Sequence, residues 1–226
     1  MKLLASFEWS VIWDNRGALL HGLKLDVEAS LIAIAGATTI GIVLGAVRAN
    51  RIPFASQLAG VYVEIIRCTP FLGFLLLFFY GLPEISRHFL FSGFTAACVV
   101  LMLWGGAFNT ENFRAGFEAV PYRYREAGLA LGFGRIATFF RVTLPIGGRI
   151  ALPSTINTHV SILKNTTLLT AIGLQELTTT SRSISAQNFR DVEMLATIAV
   201  TYLTVVWTLS GLVRLVERRL AIPEDR

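Results

Sequence analysis

Long apolar stretches alternate with short polar segments along this chain of 226 residues. A helix needs about 20 mostly apolar residues to cross a bilayer, and five stretches meet that requirement. They cover residues 29–47, 58–80, 94–113, 152–174 and 194–216. We therefore expect an all-α membrane protein in which residues 1–226 form a single transmembrane domain with five spans.

The segment just before the first stretch is less uniform. Lys24, Asp26 and Glu28 interrupt its apolar positions, so it either extends the first helix outside the bilayer or lies along the outer surface. Lys24 and Glu28 are one helical turn apart, an interval at which opposite charges pair. The pattern leaves the start of the first span open.

Composition supports a place in the bilayer. Hydrophobic residues make up 54% of the chain and charged residues 15%, and the mean hydropathy is +0.60, which is more apolar than a soluble domain requires. The two cysteines, Cys68 and Cys98, lie far apart inside apolar stretches and are interpreted as packing residues. With three histidines besides, the chain offers little for a metal, and we expect neither metal nor cofactor in it.

Positive charges at the ends of the apolar stretches predict the orientation, because cytoplasmic connections carry an excess of Lys and Arg. The first and third connections are rich in arginine, whereas residues 81–92 and 175–193 show no such excess. We expect the N-terminus outside and the C-terminus in the cytoplasm. The arginines that carry this argument are Arg48, Arg51, Arg67, Arg114, Arg123, Arg125, Arg135, Arg141, Arg149, Arg214, Arg218 and Arg219.

The third connection contains a polar, helical block that we call the knob, residues 121–145. Pro121 suits the first turn of a helix, and Tyr124, Ala127 and Leu131 then share one face. The segment 132–134, Gly-Phe-Gly, predicts a stop and a turn, and a second short helix should follow until Pro145 ends it. Such a knob either docks a cytoplasmic partner or lies unpartnered in the headgroup layer.

The fourth apolar stretch is unusually polar. Asn157, Ser161 and Lys164 follow at intervals that favour one helical face, and Asn165 and Thr166 come directly after them. A lysine inside a span costs several kcal/mol unless it is paired or hydrated. Lys164 therefore marks either a substrate path or a structural ion pair, for which Glu111 is a candidate partner.

Two further charge pairs stand at helical intervals. Glu64 and Arg67 precede Thr69-Pro70, where the helix should bend, so this segment is either a gate element or an ordinary ion pair beneath a proline kink. Glu111 and Arg114 repeat the interval at the end of the third stretch. We expect them to position the knob.

The sequence resembles a known family at four strings. EAGLALGFGRIATFFRVTLP (126–145) is similar to the EAA loop of ABC-importer permeases, with Gly128 in place of the usual second alanine and Val142 where isoleucine is common. YVEIIRCTPFLGFLLLFFYGLP (62–83), ENFRAGFEAVP (111–121) and LKNTTLLTAIGLQEL (163–177) resemble the polar amino acid uptake subfamily. The similarity covers nearly the whole chain after Leu19.

The resemblance implies a type I permease fold, a bacterial inner-membrane location and a set of partners. In the family the EAA loop is a coupling helix that docks on a separate ATPase, which holds the ATP and Mg²⁺. The other partners implied are a second permease subunit, identical or similar, and a periplasmic or extracellular solute-binding protein that delivers a polar amino acid. Coupling residues implied by the match are Glu126, Ala127, Gly128, Gly132, Leu144 and Pro145.

The resemblance also bears on the substrate. Many relatives have an aspartate after the lysine of the fourth span, and Asn165 removes that charge. We hypothesise that this chain does not itself recognise a positively charged side chain. It would then bind neutral or acidic polar amino acids, or a partner subunit would recognise the substrate.

Catalysis by this chain is not expected, because the sequence lacks a G-x-x-x-x-G-K-[ST] loop and any Ser/His/Asp set. Two alternatives to a permease subunit remain open at this point. One is a stand-alone secondary transporter or channel, and the other is a membrane scaffold that does not transport.

Overall fold

The computed structural model describes residues 7–220, with side chains described up to residue 211. Within that range all regular structure is helical. Eleven α-helices occur in the described chain: α1 Trp9–Asp14, α2 Arg16–Ala49, α3 Ala55–Cys68, α4 Phe71–Leu76, α5 Leu82–Ile85, α6 Gly93–Glu118, α7 Tyr122–Ala130, α8 Arg135–Thr138, α9 Leu144–Asn165, α10 Leu177–Asn188 and α11 Asp191–Leu220. Short π-helical turns occupy Leu77–Gly81 and Phe139–Thr143, and 3₁₀ turns occupy Arg87–Phe89 and Thr166–Ile172.

All five predicted stretches fall on helices, with different ends. Helix α2, which contains the first predicted stretch, begins at Arg16, so the charged segment before residue 29 extends this helix. Lys24 pairs with Glu28 at 3.6 Å. By length and apolar content α2, α6 and residues 191–211 of α11 qualify as spans in the described chain. A fourth qualifies if Ala55–Cys68 and Phe71–Ile85, on either side of the break at Thr69-Pro70, count as one.

The fourth predicted stretch, residues 152–174, is not among those spans. Its helix α9 ends at Asn165 and continues as the 3₁₀ turn Thr166–Ile172, and its polar side chains lower its apolar content. The arginines Arg214, Arg218 and Arg219, used above to orient the C-terminus, lie outside the described side chains. The number five therefore stays a prediction.

Two compact units make up the chain. The first unit comprises the chain up to Ala33, Phe71–Leu101 and Val160–Leu209, and the second comprises Ile34–Pro70, Met102–His159 and the chain from Ser210. Each has its own apolar cluster. Buried members in the first unit are Leu19, Leu177, Ile184 and Met194; in the second they are Phe113, Phe117 and Ala151, with Ile42, Ala46, Ala49, Phe139 and Leu144 packed against them.

A close helix crossing holds the second unit together. A Cβ built on Gly116 of α6 would lie 2.5 Å from the carbonyl oxygen of Gly147 in α9, and one on Gly147 would lie 2.8 Å from the carbonyl oxygen of Gly116. The two backbones thus touch where neither helix has a side chain. Such contacts let helices pack closely in a membrane.

The crossing predicts opposite effects for two adjacent glycines. A Cβ at Gly147 would meet backbone atoms that cannot move away, whereas a Cβ at Gly148 would meet nothing within 4 Å. Alanine favours a helix over glycine by about 1 kcal/mol at either position, and overpacking costs about 1–3 kcal/mol. We expect Gly147→Ala to lower the thermal unfolding midpoint of the purified protein in detergent and Gly148→Ala to maintain or raise it. Equal midpoints would contradict the crossing.

Candidate functional sites

The knob exposes its apolar residues. The predicted face of Tyr124, Ala127 and Leu131 is exposed, with Leu131 at 75%, and Ile136 beyond the turn is 76% exposed. Within α7 only Gly128 is buried. Glu126 is exposed too and forms no ion pair among the described residues. The outer surface of the knob therefore offers a carboxylate beside large apolar groups.

The inner side of the knob is fixed to the end of α6. The Arg125 guanidinium donates to the carbonyl oxygen of Phe117 at 2.5 Å, in the last turn of α6, where carbonyl groups lack helical partners. A Cβ on Gly128 would lie 3.0 Å from Thr138 Cγ2, so α7 packs closely on α8. Phe117 is fully buried and meets Phe139 edge to face at 5.3 Å between ring centroids. These contacts make the knob continuous with α6.

The turn of the knob is a Schellman motif. Gly132 has φ +82°, its N–H donates to the Leu129 carbonyl at 2.9 Å, and the Phe133 N–H donates to the Gly128 carbonyl at 3.1 Å. This is the pattern in which a left-handed residue ends a helix. The predicted stop at Gly132 is confirmed, whereas Gly134, with φ −67°, does not need to be glycine.

The prediction that Pro145 ends the second helix is wrong. The chain stays helical from Arg135 through a π-helical turn at Phe139–Thr143 into α9, in which Pro145 is the second residue. A π-turn shifts the hydrogen-bond register by one residue, so the missing N–H of proline interrupts no regular ladder. Leu144 packs on the cluster of Phe113, Phe117 and Ala151. The knob is thus joined to α9 without a break.

An ion-pair network lies at the same end of α6. Glu111 Oε2 accepts from Arg114 Nη2 at 2.8 Å, Glu111 Oε1 pairs with Arg48 of α2, and Arg114 Nη1 donates to Glu118 at 2.7 Å. The interval of Glu111 and Arg114 therefore predicted a real pair. Both Glu111 oxygens are therefore already bonded to guanidinium groups, and the pair with Lys164 that the sequence offers gains no support.

Glu64 and Arg67 of α3 form no ion pair with each other in the described structure. The Arg67 guanidinium lies over the Phe108 ring at 5.2 Å from its centroid instead. Both residues line a cavity of about 440 Å³ together with Arg48 and Glu111. Helix α3 ends directly afterwards, because Thr69 is extended (φ −91°, ψ 128°) and Pro70 follows.

Helix α9 carries the predicted polar face in part. Asn157 and Lys164 are exposed, Ser161 and Asn165 are half-buried, and Lys164 forms no ion pair with any described side chain. Thr166 departs from this face, since it is fully buried and its hydroxyl lies 3.4 Å from that of Tyr202. The 3₁₀ turn that begins at Thr166 changes the helical phase and turns this side chain inward.

A cavity of about 500 Å³ adjoins the end of this face. Lys164 and Thr167 supply its polar side. Residues of α11 form its apolar wall: Ile198, Ala199, Tyr202, Leu203, Val206 and Trp207. Volumes of 300–1,000 Å³ with few polar groups on an apolar lining are typical of small-molecule sites.

His159 of α9 has a packing role in the second unit. The Thr38 hydroxyl donates to the Ile34 carbonyl at 2.7 Å and lies 3.0 Å from His159 Nε2. Because the hydroxyl proton is already used, the threonine oxygen accepts from the imidazole, which places a hydrogen on Nε2. This hydrogen bond links α2 and α9.

One buried polar group was not predicted. Asp26, Glu176 and Tyr202 meet in the first unit, where Asp26 and Glu176 are both fully buried. The available signal was an aspartate within an otherwise apolar helical face. The sequence pattern indicates only an interruption of the apolar positions before the first span.

The comparisons with known proteins establish the family. Residues 37–222 match the model of the binding-protein-dependent transport system inner membrane component, and the chain belongs to that family. The glutamine transport system permease protein GlnP of Escherichia coli strain K12 is 36% identical over 216 residues, which are 96% of this chain and 99% of that protein. The octopine transport system permease protein OccM of Rhizobium meliloti is 30% identical over 218 residues, or 93% of this chain and 89% of that protein.

Two solved structures of ABC transporters have the same fold as this chain. A crystal structure of an amino acid ABC transporter with histidines matches with a TM-score of 0.85 at 27% identity and covers 94% of this chain and 98% of that chain. An inward-facing form of the MetNI methionine ABC transporter has the same fold, with a TM-score of 0.79 at 16% identity over 95% of this chain and 100% of that one. The assignment to ABC-importer permeases of the polar amino acid subfamily is confirmed, and the transporter and scaffold alternatives gain no support.

The Schellman turn predicts a difference between Gly132 and Gly134. An alanine at Gly132 would have to adopt a left-handed conformation, which costs about 1–2 kcal/mol, whereas Gly134 has ordinary φ and open space around it. We expect Gly132→Ala to speed amide hydrogen exchange within Tyr122–Ala130 about tenfold and Gly134→Ala to leave it unchanged. Equal exchange in the two variants would show that the turn does not depend on a left-handed residue.

Proposed function

We propose that this chain is the permease subunit of an ATP-driven importer of polar amino acids, and that the knob couples it to a separate ATPase. The observation that carries this proposal is the two-sided knob. Its outer surface exposes Leu131 and Ile136, while its inner side is bonded to α6 through Arg125. Exposed apolar groups of this size favour a protein partner, and the fixed inner side gives that partner a rigid connection to the membrane helices.

The energy source lies on the partner in this proposal, since the sequence has no phosphate-binding loop of its own. ATP and Mg²⁺ are bound there. When the ATPase subunits close, the knob moves with them, and α6 and α9 follow because they cross at Gly116 and Gly147. A paired permease, identical or similar, completes the path, and a solute-binding protein delivers the substrate at the outer side.

The topology follows from the knob. The chain is a multi-pass protein of the bacterial inner membrane, with the knob and the Arg48–Glu111–Arg114 network at its cytoplasmic side. With three predicted spans before the knob and two after it, the N-terminus is outside and the C-terminus inside, in agreement with the arginine excess near the predicted spans.

The substrate passes along the exposed face of α9. Lys164 has no carboxylate partner among the described side chains and borders the cavity of about 500 Å³, so its ammonium is available to the carboxylate of an amino acid. Asn165, the next residue, carries no charge. A neutral polar amino acid suits this arrangement, and the relative GlnP, part of a glutamine transport system, supports that class.

The docking role of the knob can be tested with two matched residues. Ile136 in the knob is 76% exposed and Ile85, outside it, is 77% exposed. Burying such a side chain contributes about 1.5–3 kcal/mol, so Ile136→Asp should weaken ATPase binding at least about tenfold. We expect the ATPase to be lost on co-purification with Ile136→Asp and retained with Ile85→Asp.

Measurements of substrate uptake and of the amount of protein in the membrane distinguish a loss of coupling from a failure to insert. Ile136→Asp should enter the membrane in normal amount and fail to transport. Glu126→Lys should give the same phenotype, because it reverses the exposed charge of the docking surface. An ATPase that stays bound to both knob variants would remove the knob from the coupling interface.

Substrate class can be tested at Asn165. Asn165→Asp adds a carboxylate beside Lys164, and an added opposite charge near a bound cationic side chain should raise its affinity about tenfold. Equilibrium binding of glutamine, glutamate and arginine to the purified complex, without the solute-binding protein, measures the change. Asn50→Asp, at the end of α2, is the matched control and should alter none of the three. An arginine affinity unchanged by Asn165→Asp would show that this position does not read charge.

A further inference from the structure

The first unit contains two carboxyl groups with no cation beside them. Asp26 of α2 and Glu176, which precedes α10, each have 0% of their surface exposed. The Tyr202 hydroxyl of α11 lies between them, 3.0 Å from Asp26 Oδ2 and 3.5 Å from Glu176 Oε2. Among the described side chains neither carboxyl group takes part in an ion pair.

The environment of Glu176 stabilises an ionised carboxylate. Its Oε2 accepts from the Thr178 N–H at 2.5 Å, and its Oε1 accepts from the N–H and hydroxyl of Thr179, both at 2.8 Å. It also caps the N-terminus of the 12-residue helix α10, where the helix dipole favours negative charge. Three donors and a helix end stabilise a carboxylate at this position.

Asp26 has a different environment. Its Oδ2 accepts from the Leu177 N–H at 3.2 Å and from the Tyr202 hydroxyl, but its Oδ1 is buried with no hydrogen-bond partner in the described structure. Helix α2 packs directly on this backbone, since a Cβ on Gly22 would lie 2.8 Å from the Leu177 nitrogen. The ionisable groups that face Asp26 are Glu176 and Tyr202, both acidic.

Nearby cations do not reach this group. Lys24 and Glu28, on the same helix as Asp26, pair with each other at 3.6 Å with side chains 68% and 46% exposed. A second buried anion beside Glu176 would thus be uncompensated, and it would leave one charged oxygen without a donor. Burying an unpaired charge costs far more than burying a neutral carboxyl group.

We propose that Asp26 is a proton-binding site: it is held as a neutral carboxylic acid, with its proton on Oδ1, beside the ionised Glu176. Its Oδ2 then acts as the carbonyl-type acceptor for Leu177 and Tyr202. The bound proton allows α2, the start of α10 and α11 to pack around one negative charge instead of two. The knob contributes no residue to this site, and Tyr202 also lines the cavity that Lys164 borders. A proton held by Asp26 goes beyond the proposed transport function.

Infrared spectroscopy of the purified complex in lipid tests the proposal, because the C=O stretch of a carboxylic acid is separate from carboxylate and amide bands. The wild-type spectrum minus that of Asp26→Asn should show one carboxylic acid band, and the same subtraction with Glu28→Gln, the exposed carboxylate one turn away, should show none. Tyr202→Phe removes a donor to Oδ2 and should shift the band without abolishing it. Absence of the band from wild type would overturn the proposal.

Thermal unfolding of Asp26 variants tests the protonation of Asp26 independently. Asparagine reproduces the neutral charge and the acceptor of the protonated acid, so Asp26→Asn should keep the wild-type unfolding midpoint, while Asp26→Ala should lower it by at least about 4 °C. An Asp26→Asn variant that failed to fold would contradict a neutral Asp26. A wild-type midpoint that rose with Na⁺ or K⁺ against choline, and lost that dependence in Asp26→Asn, would identify a bound metal cation instead of a proton.

Discussion

The backbone contact between α6 and α9 at Gly116 and Gly147 is the constraint on which the rest of the second unit depends. Two helices that touch without intervening side chains have no freedom to slide, because any displacement opens a void or produces a clash. Phe117, the residue after Gly116, is fully buried and offers its carbonyl to Arg125 of the knob. The crossing, the aromatic cluster and the knob therefore form one continuous body, which is what the proposed coupling to a separate ATPase requires.

Buried or partly buried carboxylates are stabilised in two different ways in this chain. Near the end of α6, Glu111 is shared by Arg48 and Arg114, so a partly buried carboxylate is neutralised by cations from two helices. In the first unit, Glu176 is stabilised by N–H and hydroxyl donors alone. Donors of this kind spread one negative charge but cannot support a second one nearby, which is why the neighbouring Asp26 is the group that must stay neutral.

The sequence predicts local features of the knob better than long-range ones. Gly132 was identifiable because only a few residue types tolerate positive φ, and the start of α7 after Pro121 follows from backbone chemistry. The effect of Pro145 was mispredicted, since a π-helical turn upstream absorbed its missing donor and sequence gives no signal for such a turn. The burial of Asp26 is not predictable for a related reason. Its hydrogen-bond partners lie about 150 and 176 residues away, and no local sequence pattern indicates them.

The two hypotheses that the sequence leaves open for Lys164 separate once the partners of each charge are known. A scaffold role needs a carboxylate, and Glu111, the one proposed, is already held by two arginines. The Lys164 ammonium instead stays exposed beside a cavity with an apolar wall. A charge in that setting needs water or an anionic group to reach it, and a polar amino acid in transit brings both a hydration shell and a carboxylate. The exposed ammonium thus supports the proposal of a path in which the cargo supplies the counter-ion, whereas the paired carboxylates belong to the packing of the helices.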